Sequence, residues 1–529
     1  MALEHASVRD DLIEGDGHTA SPRWGLALVV IGGLALCAAL LTIDNALVGV
    51  AYDDAMYVIL ARSIATGEGF RYLNVPGHPA ATHFPPGFPA VLAAISSVAP
   101  EFPDNVVWFK GLNAVAHCAS AVLVARLVRD RLASRRLGIA LGALTAISMP
   151  LLILDAMVLS EPLFLALLVA LLIAGERFVD EGSTPRMAAM LGACIGAGAL
   201  VRTHGIVLVP ALMLPLLLRR RWLETITLAL AALVVLLPWQ LWSAAHAGDV
   251  PPPLLGHYGS YAGWWLRGYS AMGPSMIPAT LARTSAATVS MLASLTSPFR
   301  DPLSRVITVA ALAVVTMSGT AVLLRRAPVT VLFLAGYLAI VLLWPFTPAR
   351  FVWGVWPLLL FVAAAAAWTT ARAERTAHAL VRSVVVIAVA WLAIGYAAYE
   401  VRGVRGRWWR SIAAAESPRI SAGIEWAAAN ALPGEVLASE SEGATYLYTG
   451  HATLPIVSFT TERYLRVRPV QREAADGLGP VLDAYPVRTV LVGTPRTLDI
   501  ARVLTTGPRP RLAPRAAFRD GAAFTVLPR

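Results

Sequence analysis

Long apolar runs alternate with short polar, arginine-bearing segments along most of the chain. The runs fall at 25–43, 106–128, 137–154, 162–175, 187–201, 205–218, 223–245, 304–324, 328–344, 351–368 and 383–400. A hydrocarbon core about 30 Å thick needs roughly 20 consecutive apolar residues in a helix. The pattern predicts an α-helical polytopic membrane protein with about 11 transmembrane helices over 25–400. One more apolar segment, 87–99, lies between Pro86 and Pro100 and is short for a span. It is expected to lie on the membrane or dip into it. From about residue 401 the pattern becomes polar. Val436–Glu440, Pro455–Phe459, Thr489–Val492 and Phe524–Leu527 read as short strands, with helices at 418–431 and 470–484. The segment 401–529 is expected to be a small extracytoplasmic α/β domain.

Charge placement orients this scheme. Cytoplasmic loops carry an excess of Lys and Arg. Arg129, Arg131, Arg135 and Arg136 form one cluster, and Arg177, Arg186, Arg219 to Arg221, Arg325, Arg326 and Arg372 to Arg382 fall on the same side. Residues 1–24 are then a cytoplasmic tail, and they lack the basic start of a secretory signal peptide. Segment 44–105 becomes the first external loop, with 155–161, 202–204, 246–303, 345–350 and the C-terminal domain also outside.

Composition removes the main soluble alternatives. The 529 residues are 57% hydrophobic and only 14% charged, against about 25% charged in an average soluble domain. The net charge of +10 sits in topology-setting clusters. No basic stretch interleaves with aromatics, so no nucleic-acid partner is expected. Cys37, Cys118 and Cys194 all lie in apolar runs and give neither a disulfide framework nor a zinc spacing.

Candidate chemistry gathers at the external ends of the spans. The first external loop carries Tyr52-Asp53-Asp54-Ala55-Met56-Tyr57, then His78, His83 and Phe84-Pro85-Pro86-Gly87-Phe88-Pro89. Of two adjacent carboxylates, one can take a proton from an acceptor hydroxyl while the other orients it or binds a sugar. Asp155 and Glu161 flank the next external turn, and acids at span ends often face a cavity. Arg202, with Thr203 and His204, and Arg350, in Thr347-Pro348-Ala349-Arg350-Phe351, run against the positive-inside tendency. A guanidinium can clamp a phosphate through two donors. Lys110 is a further cation near an external span end. The external histidines, His78, His83, His204 and His257, match no spacing that fixes a metal, so neither metal nor cofactor is expected.

The acidic pair Asp53-Asp54 followed by His83-Phe84-Pro85-Pro86-Gly87-Phe88-Pro89 resembles two elements of GT-C fold membrane glycosyltransferases. The topology resembles that fold over about 25–400. Protein O-mannosyltransferases and lipid A aminoarabinose transferases are its best-known relatives. The resemblance implies transfer of a sugar from a polyprenyl-phosphate donor to an extracytoplasmic acceptor hydroxyl, with inversion. Asp53 would be the base and Asp54 its support. His83, Asp155, Glu161, Arg202, His204 and Arg350 would bind substrate. The acceptor could be lipid, polysaccharide or protein, and the location a bacterial inner membrane. Where aminoarabinose transferases carry a lysine before the Pro-Pro element, this chain has His83-Phe84. The rival reading is a transporter or flippase for a lipid-linked or polar substrate. It predicts polar groups at the bilayer midplane and inverted repeats.

Overall fold

The computed structural model describes residues 22–44, 46–181, 184–372, 379–466 and 468–528. Most of the expected tail, positions 1–21, therefore lies outside the described residues. Helix α1 (Pro22–Leu40) opens the bundle, and two short helices follow, α2 (Asp53–Ala65) and α3 (Gly87–Val98). Then come α4 (Val106–Leu132), α5 (Arg135–Ala146), α6 (Met149–Asp155), α7 (Glu161–Glu181), α8 (Pro185–Val201), α9 (Leu208–Leu218) and α10 (Trp222–Ala245). The second half holds α11 (Tyr261–Met272), α12 (Met276–Thr296), α13 (Pro302–Arg326), α14 (Pro328–Leu343), α15 (Trp356–Arg372) and α16 (Ala379–Gly406).

Every apolar run holds a helix, but not every one of these helices is long enough to span by itself. Among the described residues, six helices are long and apolar enough to cross a membrane: α1, α4, α7, α10, α13 and α16. The pair α5 and α6, bent by 43°, makes a seventh if it is one span. The runs at 187–201, 205–218, 328–344 and 351–368 form apolar helices of 10–17 residues. At about 1.5 Å per residue these fall short of the hydrocarbon thickness. Side chains such as Val29, Val234, Val306 and Ile387 are 66–71% exposed on the long helices. In lipid that is the satisfied arrangement.

Loop 246–303 is not irregular. It contains α12, a 21-residue helix packed on α13, α14 and α16. Thr284 and Thr288 donate their hydroxyls to the carbonyls of Thr280 and Thr284, each at 2.7 Å, so the groups are satisfied within the helix.

The two ends of the bundle differ. Helix α7 carries Glu161 at one end and Asp180 near the other, about 30 Å away at helical rise. At the Asp180 end, Arg131 donates to Asp180 and to the Arg326 carbonyl, both at 2.6 Å. Arg177 reaches Asp130 there at 3.0 Å. The arginine clusters thus meet at one end, and Glu161 marks the opposite one.

The C-terminal segment begins with α17 (Ser411–Asn430) and builds a five-stranded sheet, β1 (Val436–Ser439), β2 (Thr453–Pro455), β3 (Val487–Val492), β4 (Leu512–Phe518) and β5 (Gly521–Val526). The order is β2-β1-β3-β5-β4. β1 runs parallel to β2 and β3, while β5 is antiparallel to β3 and β4. Helix α18 (Glu442–Thr449) follows β1 and packs on α2.

Candidate active site

A cavity of about 520 Å³ opens at the Glu161 end of the bundle. It is walled by the start of α2, the Pro85 segment, the α8–α9 turn, the segment after α14, loop 246–303 and the C-terminal segment. Asp53, His83, Arg202, His204 and Arg350, all read from the sequence as site residues, line it. They come from segments up to about 300 positions apart in the chain.

One charge network joins them. Arg350 donates to Asp53 Oδ2 at 2.7 Å through one terminal nitrogen. Its Nε and other terminal nitrogen embrace the two oxygens of Glu161. Arg202 reaches the same Glu161 at 3.1 Å and donates to Ser160 Oγ, also at 3.1 Å. Ser160 in turn lies 3.2 Å from the Tyr57 hydroxyl. Glu161 is buried behind the two arginines and does not line the cavity. It contacts both guanidiniums at the cavity wall and is set back from the lining itself.

The adjacent acids separate. Successive residues on a helix are turned by about 100°. Asp53 therefore faces the cavity and Asp54 faces back into its own loop. Asp54 is buried and accepts the backbone N–H groups of Gly49 (2.8 Å), Ala51 (3.2 Å) and Ala55 (3.0 Å). Burial pushes its carboxyl up to about 6 despite those three donors. Asp54 shapes the loop rather than the cavity. Asp155 is also placed elsewhere. It is buried against His117 Nδ1 at 2.5 Å, away from the cavity lining. Lys110 donates to the carbonyl of Asp44 at 2.8 Å and pairs with its carboxylate at 3.2 Å.

His83 donates from Nδ1 to the Gly259 carbonyl at 2.7 Å. Burial holds its pKa below the ordinary histidine value. The neutral ring then carries its acceptor lone pair on Nε2. His204 packs its ring on Tyr337 and Phe351, and Arg202 sits over the Phe351 ring. Arg202 Nε and His204 Nδ1 are buried without hydrogen-bond partners. Two orphaned polar groups at the rim of one cavity are suited to a polar ligand. Among the described residues, no three His, Cys, Asp or Glu side chains gather as a metal site.

The wall facing this network is aromatic. Trp264 lies 5.4 Å from Trp344, and Phe346 packs edge-on against Tyr464 at 4.7 Å. Phe459 and Tyr464 bring the C-terminal segment into the cavity itself. The sequence reading did not single out Trp344, Phe346, Phe459 or Tyr464. Within apolar surroundings nothing marks an aromatic that faces a cavity rather than a core.

Two solved structures resemble the overall fold. ArnT from Cupriavidus metallidurans in the apo state aligns over 96% of this chain and 98% of its own, at 13% identity and a TM-score of 0.53. The oligosaccharyltransferase AglB from Archaeoglobus fulgidus, solved with an inhibitory peptide and a dolichol-phosphate, aligns over 91% of this chain and 71% of its own. Its identity is 12% and its TM-score 0.52. The chain has the GT-C fold. The family model for dolichyl-phosphate-mannose-protein mannosyltransferase matches residues 83–242. That match starts at His83 and ends within α10. No curated protein sequence matches the chain significantly.

Proposed function

We propose that this GT-C chain is a membrane glycosyltransferase that uses a polyprenyl-phosphate sugar and an extracytoplasmic acceptor hydroxyl, with inversion. The observation that carries the reading is the convergence of Asp53, Arg350 and Arg202 on one cavity at the end of the bundle opposite the arginine clusters. The similar structures support it: one carries a dolichol-phosphate, and the matching family model is named for a dolichyl-phosphate-mannose transferase.

The chemistry follows from the geometry. Arg350 holds Asp53 through Oδ2, so Oδ1 is available to accept the proton of an acceptor hydroxyl. The hydroxyl oxygen attacks the anomeric carbon from the face opposite the phosphate, and the sugar–phosphate bond breaks. Charge builds on the departing phosphate, and the orphaned Nε of Arg202 and the positive charge of the neighbouring Arg350 stabilise it. His83 Nε2 accepts a hydrogen bond from a sugar hydroxyl. The aromatic wall stacks against the sugar ring and excludes water.

The test is release of polyprenyl phosphate by purified protein in lipid nanodiscs. It uses a panel of polyprenyl-phosphate sugars and a crude envelope acceptor fraction. Asp53→Asn should slow release by about 10²-fold or more, the size typical of a lost general base. Equal rates for the two proteins would remove Asp53 from the reaction. Movement of the intact lipid-linked sugar across the bilayer without release would favour the flippase instead.

A further inference from the structure

Tyr57 stands one helical turn after Asp53 on α2, on the same face, and lines the same cavity. Its ring packs edge-on against Phe84 and Phe88, at 5.1 and 4.9 Å. Its hydroxyl lies 3.2 Å from Ser160 Oγ, its one hydrogen-bond partner among the described residues. Ser160 directly precedes α7 and is fully buried. Nothing in the proposed chemistry uses either hydroxyl.

The direction of these hydrogen bonds follows from what each group can do. A guanidinium only donates, so Arg202 gives an N–H to Ser160 Oγ, at 3.1 Å. A serine hydroxyl also has one proton of its own to give. Among the described residues, the partner left for it is the Tyr57 oxygen. If Tyr57 donated instead, the Ser160 proton would stay unpaired in a fully buried place, which is costly. The donors therefore run from Arg202 to Ser160 to Tyr57. The Tyr57 oxygen accepts, and its own proton, which no protein acceptor takes among the described residues, is left for the cavity. Burial holds the Tyr57 pKa above the ordinary tyrosine value, so the proton stays on the oxygen. A cation at the head of the series polarises each bond after it and makes this O–H a stronger donor.

One atom, Ser160 Oγ, separates Tyr57 from Arg202. An anion held by the orphaned Nε of Arg202 is thus beside Tyr57 as well, and an anion is the acceptor that such a donor binds best. We propose that Tyr57 is a catalytic residue whose hydroxyl donates a hydrogen bond to the departing phosphate, its proton aimed there by Ser160. The proposal rests on the glycosyltransferase reading. As the acceptor oxygen bonds to the anomeric carbon, the sugar–phosphate bond breaks and its electron pair goes to the phosphate oxygen. The acceptor's proton goes to Asp53. Tyr57 keeps its own proton, and its hydrogen bond tightens as charge grows on the phosphate. Ser160 touches no substrate and is a positioning residue.

The experiment uses the full chain in nanodiscs, as wild type, Tyr57→Phe and Ser160→Ala. Three readouts are taken: release of polyprenyl phosphate, the pH profile of kcat/KM, and direct binding of undecaprenyl phosphate. Tyr57→Phe keeps the ring contacts with Phe84 and Phe88 and removes only the hydroxyl. It should lower kcat about a hundredfold or more, the size of one lost stabilising donor, with the donor KM nearly unchanged. Undecaprenyl phosphate should bind it about tenfold more weakly or worse, the weight of a hydrogen bond to a charged group. Ser160→Ala leaves the Tyr57 hydroxyl in place but unaimed. It should lower kcat about fivefold, the weight of a neutral hydrogen bond, again with little change in donor KM. Because it removes a single oxygen, it carries the test if Tyr57→Phe does not fold. Wild-type kcat and binding in either variant would overturn the proposal. So would a shift of the acid limb of the Tyr57→Phe profile to higher pH with unchanged binding, because that would place the Tyr57 proton on Asp53. If wild type releases no polyprenyl phosphate from any donor, the glycosyltransferase reading fails. Binding of undecaprenyl phosphate to wild type and Tyr57→Phe then decides the contact: the tenfold difference upholds it, and equal binding or none overturns it.

Discussion

Arg350 spends its planar fork on two carboxylates at once, Asp53 on one side and Glu161 on the other. A lysine carries the same charge but a single ammonium, and it cannot reproduce a paired contact with one carboxylate while reaching a second. Arg350→Lys should therefore lower kcat by about a hundredfold or more, the size seen when one stabilising donor is lost. KM should change far less, and steady-state release of polyprenyl phosphate checks the split. Arg350 and Arg202 stood out in the sequence because a cation on the side read as external breaks a charge rule. The difference between Asp53 and Asp54 was not. The two are alike in composition and position, and only the helical turn between them sends one to the cavity and the other to three backbone amides. The place of Asp155 was not legible for a related reason. Its partner His117 lies 38 positions away on another helix, and nothing in the local sequence announces the pairing.

At the scale of elements, hydropathy located every apolar helix but not where helices break. The run 137–154 reads as one span, yet it splits around Ile147 and Ser148, just before Pro150. Proline removes a backbone donor and disfavours helix in the residue before it. The break exposes polar backbone at membrane depth, and two distant side chains satisfy it. His117 Nε2 lies 3.1 and 3.2 Å from the carbonyls of Thr145 and Ala146, which end α5. The Glu400 carboxylate accepts the Met149 N–H, at the start of α6, at 2.9 and 3.1 Å. Truncating Glu400 leaves that N–H buried and unpaired, which costs about 1–3 kcal/mol. Glu400→Ala should therefore lower the midpoint of thermal unfolding in detergent. Because α6 leads directly into the turn that carries Glu161, it should also lower kcat. An unchanged midpoint would show that water or lipid takes over the contact. Helix α12 escaped notice for the opposite reason. A hydropathy count treats threonine as polar, while its hydroxyl bonds back to the preceding turn.

For the molecule as a whole, the polar C-terminal segment was legible as an α/β domain from the change in pattern, down to several of its strands. Its close contact with the first external loop was not: a Cβ on Gly49 would overlap Ala444 of α18, yet the two lie about 400 positions apart and neither is unusual where it stands. That interface carries a titration. Burial pushes the Glu442 carboxyl up to about 8, and its hydrogen-bond partner is the Tyr258 hydroxyl rather than a cation. A carboxyl raised in this way binds its proton more tightly folded than unfolded. Its contribution to stability is full below the unfolded value of about 4.3 and is lost as pH rises through the folded one. The thermal midpoint of the wild-type chain should then carry a component that declines between about pH 5 and pH 8. Glu442→Gln stays neutral across that window and should lack the component, with its midpoint closest to wild type at acid pH and highest relative to wild type near pH 8. Asp54, pushed up to about 6, adds a similar slope that ends about two pH units earlier. Because both proteins retain Asp54, the difference between their two curves isolates Glu442. Parallel curves would mean that the acid is solvated or paired in the membrane-bound protein. A difference that opens between pH 6 and 8 would locate the titrating group at the domain interface, where α18 packs on α2.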